Sequence, residues 1–453
     1  MSLPNFFLAD LPPEAELTPG MIREACQALK RNRAQYLERR SSAQMLHVLS
    51  EVAQAWLDPE FALRRLALEQ SRAATGFGPV TLARGLDQFF GQLTAENLHA
   101  LLVQELGHAH RLDGWAASAS ESRHAVSAMA RGPELLAHIT AGNLPTPALL
   151  SIVLGLLTRS AQFVKCASGA SFMPRLFAHS IHQFEPKLAS CLEIAEWPGG
   201  TAALEEPLFE EAECVTATGS DEMLADLRRR LPARTRLVGY GRRVSFGYIA
   251  QEKLSRGNAT KLVAQAAEDL VAWNQLGCLS PHLLYVQTGG ALTPETFADC
   301  LASELARREE AEPRGELAVE EAALIASRRD VYRLRSAVSL ATRLWCSEGS
   351  TAWTVVFEED ARFQVSCLNR FVYVKAVADL TQVLHEAEEV RGQVSTVGLA
   401  AGVEAIEQLA AQLAAWGVTR VCPIGRMQAP PLLWRHDGRP VLGDLVVWTD
   451  WEL

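Results

Sequence analysis

The chain has 453 residues, 48% of them hydrophobic and 21% charged, with a formal net charge of −10. That length exceeds what one small core holds, so two or three packed units are expected. The acidic balance argues against a nucleic-acid partner, because phosphate binding needs a basic surface. The most apolar run, Leu149 to Leu157, is closed by Arg159 and is too short to cross a bilayer. The N-terminal stretch MSLPNFFLADLPPEAE has no basic leader with an apolar stretch behind it, so no secretory signal is expected. Nine scattered cysteines without a CxxC suit free thiols in a reducing cytoplasm.

From Pro19 to about Gly107 the chain reads as helices. Apolar residues recur at three- and four-residue steps in Ile22 to Tyr36 and in Phe89 to Leu106, and Thr94 before Glu96 and Asn97 marks a helix start. No chemistry is evident in this region. The pattern then changes. Leu135 to Thr140 reads as a strand ending in Ala141-Gly142-Asn143-Leu144-Pro145, followed by a helix over Ala148 to Ser160 and a strand over Ala161 to Lys165. A helix from Pro174 to Leu188 leads to an apolar piece at Cys191 to Ala195. Glu213 to Ala217 then closes on Thr218-Gly219-Ser220 before a helix over Asp221 to Arg230, and Thr235 to Ile249 gives a further strand or pair. Strands alternating with helices imply a parallel, doubly wound sheet whose ligands bind at the carboxyl ends of the strands.

A second unit is expected from about Lys261. Leu262 to Leu276 has a helical apolar face and delivers Gly277-Cys278-Leu279-Ser280-Pro281, ahead of a buried strand at Leu283 to Val286. Glu304 to Asp330 is dense in charge and reads as solvated helices around a loop at Pro313-Arg314-Gly315. Strand-like pieces at Trp353 to Phe357 and Phe371 to Val374 precede a helix over Val403 to Trp416. The expected organisation is a helical region over 1–110, a dinucleotide-binding domain over 111–260, a nucleophile-bearing domain over 261–419, and a C-terminal segment over 420–453 packing back at the domain junction.

A cysteine in an apolar context is more often core filler than nucleophile. Cys278 stands apart because it follows Gly277 at a change from helix to strand, the accessible backbone turn that reactive thiols favour. Its spacing to three other motifs says more. Asn143 lies in AGNLP, Lys165 follows 22 residues later, Gly219 and Ser220 close TATGS, and Cys278 comes 58 residues after Ser220. In this order the motifs resemble the aldehyde dehydrogenase superfamily. The resemblance implies that Asn143 faces the reacting carbonyl oxygen, Lys165 holds the adenosine ribose, Gly219 and Ser220 lie under the pyrophosphate, and Cys278 is the nucleophile.

The segments GNLP, GLLTRSAQFVKCAS, GYGRRVSFGYI, DLVAWNQLGCLSPH and RVCPIGRMQAPPLLWRHDGRPVLGDLVVWTDWE are similar to the bacterial fatty acyl-CoA reductases, the LuxC-type family of luminescence systems and their non-luminous relatives. The likeness covers roughly 80–453. It implies an α/β, aldehyde dehydrogenase-like fold, with a Rossmann-like cofactor domain and an α/β catalytic domain behind an N-terminal helical region. It also implies a homo-oligomer that reduces an acyl-CoA or acyl-carrier thioester to an aldehyde with NADPH, served by an acyl-transferring synthetase or transferase.

One departure from the superfamily is informative. Hydrolytic aldehyde dehydrogenases carry a glutamate upstream of the cysteine, where this chain reads Leu237-Val238-Gly239-Tyr240-Gly241-Arg242-Arg243. Without that base an acyl-enzyme should exchange with a thiol rather than hydrolyse. NAD-selective relatives also place a carboxylate just after the lysine. Here Ser168 leaves room for a 2′-phosphate near Lys165, with Arg175 a further candidate cation. The bland readings are a turn-forming Asn143, a surface lysine at 165 and a helix cap at Ser220, the last compatible with phosphate proximity. His282 after Ser-Pro is more often structural than an acid or base. Cys166 and Cys214 fall on strands and read as core, and Glu358, Glu359 and Asp360 form an acidic turn of open role. Two rival functions stand beside the reductase: a hydrolytic aldehyde dehydrogenase, and a non-catalytic acyl-binding subunit.

Overall fold

Helices open the chain, at Pro19–Asn32, Ser42–Leu57, Ala62–Glu69, Ser71–Thr75, Pro79–Phe90 and Ala95–Leu106. Their ends are set locally. Thr94 Oγ1 accepts the Asn97 N–H at 3.1 Å, Ser41 and Gln44 form a reciprocal capping box, and Gly107 at φ 71° closes the helix before it. The first of these helices shares a core with the strands further along the chain. Ile22, Cys26 and Leu29 line one stripe of Pro19–Asn32 and pack with Leu135, Phe163 and Val215. The expected separate region over 1–110 is therefore part of a larger body.

The computed structural model describes residues 3–12 and 14–452, and the chain divides into two compact units. The first runs to Thr75, resumes over Ala83–Gly241 and returns from Pro431. The second comprises Gly76–Leu82 and Arg242–Pro430. The change of unit at Gly241/Arg242 falls earlier than the expected boundary at 260/261. The span 420–453 is divided at the Pro430-Pro431 pair.

The first unit holds β1 (Val126–Arg131), β2 (Leu135–Ile139), β3 (Ala161–Cys166), β4 (Leu192–Glu196), β5 (Cys214–Thr218) and β6 (Arg236–Tyr240). Strands β2 to β6 form a fully parallel sheet in the order β4-β3-β2-β5-β6. This is a doubly wound arrangement, with the order reversing between β2 and β5, and such sheets bind ligands at the carboxyl edge beside that point. The apolar run near Leu149 is the helix Thr146–Leu157, packed on β2 and β3. Among the described residues no helix is long and apolar enough to cross a membrane.

The second unit holds β7 (Val244–Ile249), β8 (Pro281–Gln287), β9 (Thr342–Cys346), β10 (Thr354–Glu358), β11 (Phe371–Val377), β12 (Val394–Ala400) and β13 (Arg420–Pro423). They form one sheet in the order β13-β12-β7-β8-β11-β10-β9, parallel except for β9. Its two faces bury separate cores. One gathers Phe246, Tyr285 and Tyr373, the other Leu284, Val286 and Phe297. The stretch expected as a strand or pair, Thr235 to Ile249, is thus two strands in different sheets, β6 and β7, joined through Gly241-Arg242-Arg243. Last comes β14 (Val447–Glu452), which returns to the first unit and pairs antiparallel with β1. The returning segment is held there by Arg236, whose guanidinium donates to the carbonyls of Asp444, Leu445 and Val446, and by Glu105, which accepts the Leu442 N–H at 3.1 Å.

Candidate functional site

Five of the predicted residues, Asn143, Lys165, Ser168, Gly219 and Ser220, lie at the carboxyl edge of the first sheet. Asn143 is exposed in the turn between β2 and the helix Thr146–Leu157, which begins without a side-chain cap. Beside it a small cleft is lined by Thr140, Leu144, Ser151, Thr216 and Thr218. Ser220 caps the helix Asp221–Arg230, its Oγ accepting the Met223 N–H at 3.2 Å, while the Gly219 N–H donates to the Tyr240 carbonyl at 3.1 Å. The first turn of that helix carries Asp221 and Glu222, which suit the helix dipole and oppose a bound anion.

Lys165 is the penultimate residue of β3 and is buried, with 3% of its surface exposed. Its Nζ lies 5.9 Å from the Trp197 ring centroid. Burial pushes its pKa down, opposed by the nearby carboxylates of Glu205 and Glu196. The bland reading of a surface lysine is therefore overturned. A side chain already buried has little conformational entropy left to lose.

Two residues that sequence reasoning missed complete this corner. Glu205 accepts the Gly200 N–H at 3.0 Å and pairs with Arg230 at 2.6 Å, fixing the turn after β4. Glu196, at the end of β4, accepts the N–H groups of Gly169 and Ser171 at 2.6 and 3.1 Å. Ser168 is exposed beside that loop. The sequence shows no acid directly after Lys165, but the neighbouring strand brings one to the same loop. Arg175 faces elsewhere: it pairs with the buried Asp10 at 2.9 Å, so it does not serve as the extra cation.

Cys278 belongs to the second unit and is exposed, in a turn just ahead of β8. Of the nine cysteines it alone is exposed; Cys26, Cys166, Cys191 and Cys214 are buried and the other four intermediate. Burial pushes the Cys166 thiol up to about 12 and Cys214 up to about 11. Those two are core, as expected from the sequence.

The turn is built from irregular backbone. The expected helix over Leu262 to Leu276 stops at Val271, and Trp273, Asn274 and Gln275 follow at φ 51°, 50° and 66°. A second such triplet, Leu368, Asn369 and Arg370, precedes β11 at φ 58°, 55° and 64°. Left-handed backbone costs roughly 1–2 kcal/mol per non-glycine residue, so two such turns persist only where packing over-determines them. Here the Arg370 guanidinium donates to Asn274 Oδ1 at 2.9 Å and to Glu309 at 2.7 Å. Gln275 Nε2 donates to the carbonyls of Pro281 and Phe371 at 2.8 and 2.9 Å. Ser245 Oγ donates to the Cys278 carbonyl at 2.8 Å, and Gln428 donates to Ser280 Oγ. The thiol is exposed on a backbone that four side chains hold still.

His282 is buried on β8, and its Nδ1 accepts the Ser366 N–H at 3.2 Å. Burial, with Arg242 adding to it, pushes its pKa down to about 4, so it is neutral at pH 7 and reads as structural. Glu358 is buried as the last residue of β10, in an ion pair with Lys375 at 3.0 Å and with Arg335 at 2.9 Å, so it is scaffold rather than part of the expected acidic turn. Among the described residues no cluster of His, Cys, Asp and Glu has metal-binding geometry.

Comparison with known proteins agrees with this architecture. The chain aligns with solved aldehyde dehydrogenase structures over nearly its whole length. These include bifunctional proline utilization A (TM-score 0.73, 17% identity, 96% of this chain and 45% of that one) and lactaldehyde dehydrogenase from Escherichia coli (TM-score 0.67, 13% identity, 97% and 92%). Among curated proteins, the long-chain acyl-protein thioester reductase of Aliivibrio fischeri is 24% identical over 78% of this chain and 71% of its own length. That of Photorhabdus laumondii is 22% identical over 53% of this chain, and the match spans about half, 49%, of that relative. The family described as acyl-CoA reductase (LuxC) matches residues 37–448. With nine-tenths of its length matched to that family on an aldehyde dehydrogenase-like fold, the chain belongs to the acyl-CoA reductase (LuxC) family.

Proposed function

We propose that this protein reduces a fatty acyl thioester, carried by CoA or by a protein, to the aldehyde, with NADPH as reductant and Cys278 as nucleophile. The observation that carries the reading is the Cys278 turn: one exposed thiol, on strained backbone pinned from four sides, in a chain whose other cysteines are wholly or partly withdrawn from solvent. The relatives that are acyl-protein thioester reductases support the substrate class.

The Cys278 thiolate attacks the thioester carbonyl and forms a new C–S bond, and the donor's thiolate leaves and takes up a proton. We assign the Asn143 side-chain amide and the Cys278 backbone N–H as donors to the oxyanion that develops during this step. When bound, NADPH supplies the hydride that takes the acyl carbonyl to the aldehyde level. The thiohemiacetal left on Cys278 then collapses, breaking the C–S bond and regenerating the thiolate. Lys165, Ser168, Gly219 and Ser220 are assigned to hold the dinucleotide. The buried Lys165 ammonium fits an anionic or hydroxyl-rich ligand, and its strand-end position fits a doubly wound sheet. The stretch Leu237 to Arg243 offers no carboxylate to activate water, so the acyl-enzyme is long-lived in buffer.

The test is a rapid-mixing measurement. The chain is acylated with labelled acyl-CoA, and loss of label is followed in buffer, with CoA, and with NADPH. Discharge by CoA and by NADPH, with slow decay in buffer, is expected, and Cys278→Ala should take up no label. Decay in buffer as fast as turnover with NADPH replaces the reductase by a hydrolytic dehydrogenase. Label on Cys166 or Cys214 overturns the nucleophile assignment.

A further inference from the structure

The helix Val319–Val338, in the second unit, carries apolar residues on two sides, and its own fold uses one of them. Ile325 and Tyr332 are buried in the core of the second sheet, with Arg329 buried between them. On the far side Leu324, Val331 and Val338 recur every seven residues, and Ser327 and Leu334 stand three beyond the first two. All five are exposed. Leu334 and Val338 leave 73% and 87% of their surface to solvent. Single exposed leucines are ordinary, but a continuous apolar seam along one helix marks a contact surface. The helix dipole accounts for Glu320 and Glu321 in the first turn and Arg335 in the last, and for none of the apolar residues.

We propose that this seam packs against the same seam of a second copy of the chain, as a parallel two-stranded coil about a two-fold axis. Two features select that occupant and that direction. The seven-residue spacing puts Leu324, Val331 and Val338 at the a positions of a heptad, and Ser327 and Leu334 at d. Valine at a with leucine at d favours two parallel strands. The flanking charges agree. Asp330 falls at g and Arg335 at e, and in a parallel pair the g residue of one helix meets the e residue five places on in the other. Opposite charges therefore meet twice, once on each side of the axis. Both side chains are available there: Asp330 is 69% exposed beside Arg333, and Arg335 is 48% exposed while it pairs with Glu358. An antiparallel pair sets e against e, which brings Arg328 of one copy to Arg335 of the other, a like-charge contact.

A two-fold contact of this kind is isologous and closes at two copies. The seam, 15 residues from Leu324 to Val338, is roughly 22 Å long. That is a narrow contact beside the roughly 800 Å² per partner of a standard interface, so the pairing is reversible and depends on concentration.

The experiment uses the full-length chain and needs neither acyl donor nor NADPH. Ser327→Cys puts a thiol on the seam, and mild oxidation should give a disulfide-linked dimer in which peptide mass spectrometry finds residue 327 joined to residue 327. Each chain has one such residue, so that link runs between copies. In a mixture of Ser327→Cys and Leu334→Cys chains, links should join like positions, 327 to 327 and 334 to 334. Links running from 327 to 334 overturn the parallel pairing. Adding Leu334→Glu to the Ser327→Cys chain should abolish the link. In sedimentation without oxidant, Leu334→Glu or Val331→Glu should weaken self-association by about a hundredfold, one apolar side chain being lost from each copy. Asp330→Lys should weaken it by about tenfold through like charges on both flanks. Another contact between copies keeps the mass high without forming the 327–327 link, so the link decides. Its absence from Ser327→Cys, or its persistence with Leu334→Glu, overturns the proposal, and a seam that binds a different protein gives the first of these results.

Discussion

Lys165 and Cys278 reach their positions by opposite routes. Lys165 stands near the end of a regular parallel strand, buried, with its surroundings supplied by neighbouring strand ends. Cys278 is exposed, and everything beneath it is irregular: two left-handed triplets, buried amides and arginines, and a hydroxyl contact from Ser245, 33 residues earlier in the chain. Regular sheet positions a binding group cheaply, since the ladder hydrogen bonds that fix it are made anyway. A nucleophile that must project while its backbone stays fixed needs contacts from several elements at once. Substitutions in the two regions should therefore fail differently: those around Cys278 in stability and chemistry together, those around Lys165 in affinity.

The largest effect is expected at Arg370. Its side chain is fully buried and joins Asn274 of one left-handed triplet to Glu309 and the Glu312 carbonyl. Arg370→Met leaves those acceptors unanswered, and breaking one partner of a buried pair costs about 3–5 kcal/mol. Chemical denaturation should show that loss, and acylation of Cys278 should slow at temperatures where the chain is still folded. Unchanged stability would mean that the two triplets stand without their clasp.

Next in size is Asn143→Ala, which tests chemistry without touching either scaffold. Asn143 is exposed in its turn, so folding should change little. Loss of one oxyanion donor lowers the chemical step by about 10²–10³, with substrate affinity nearly intact. Single-turnover acylation measures this directly. An acylation rate within about threefold of wild type, on the same scale, would return Asn143 to the role of a turn former.

The same contrast explains what the sequence disclosed. The helices Asp221–Arg230 and Val403–Trp416 match their expected bounds because caps and apolar spacing are local signals. Strands β2 to β5 fall within a residue or two of expectation, and so does the strand-end placement of Asn143, Lys165 and Gly219. Among the strands, the β1–β14 ribbon, β9, β12 and β13 have no counterpart in the sequence reading. The ribbon pairs segments more than 300 residues apart, which no local pattern records. The break at Trp273 looks like continued helix in the sequence because Trp273 and Leu276 keep apolar spacing, and only tertiary contacts from Arg370 and Asn274 make the left-handed turn the better state. Glu196 escapes notice for a related reason. It is 31 residues beyond Lys165 in sequence and reaches the loop after it only because β4 lies beside β3.

That acid gives the cofactor prediction its edge. Lys165→Ala should weaken NADPH binding more than NADH binding, by roughly 1–3 kcal/mol if a charge-assisted hydrogen bond to the 2′-phosphate is lost. Glu196→Gln keeps an acceptor for Gly169 and Ser171 while removing negative charge beside that loop, so it should raise the preference for NADPH. Fluorescence titration with both cofactors checks the pair. Equal losses in Lys165→Ala would show that the lysine does not read the phosphate.

The smallest effect concerns the edge strand of the first sheet, the one beside the strand that carries Lys165. Glu193, on β4, accepts the N–H groups of Leu8 and Ile194 on the same oxygen, at 2.7 and 3.0 Å, and burial pushes its pKa up to about 7. A carboxyl whose folded-state pKa is raised binds its proton more tightly in the native chain than in the unfolded one. Its contribution to stability is therefore complete below pH 4.5, the unfolded value, and is lost as the pH rises through about 7. Glu193→Gln keeps the shared acceptor oxygen and abolishes the titration. The group is only half-buried, so solvent screening holds the gain to about 1 kcal/mol, seen at pH 8 and absent at pH 4. Thermal unfolding across that range should show a flatter pH profile for the variant. A variant that follows the wild-type curve would mean that the carboxylate is solvated in the folded chain. The strap of residues near Leu8 would then owe nothing to its proton.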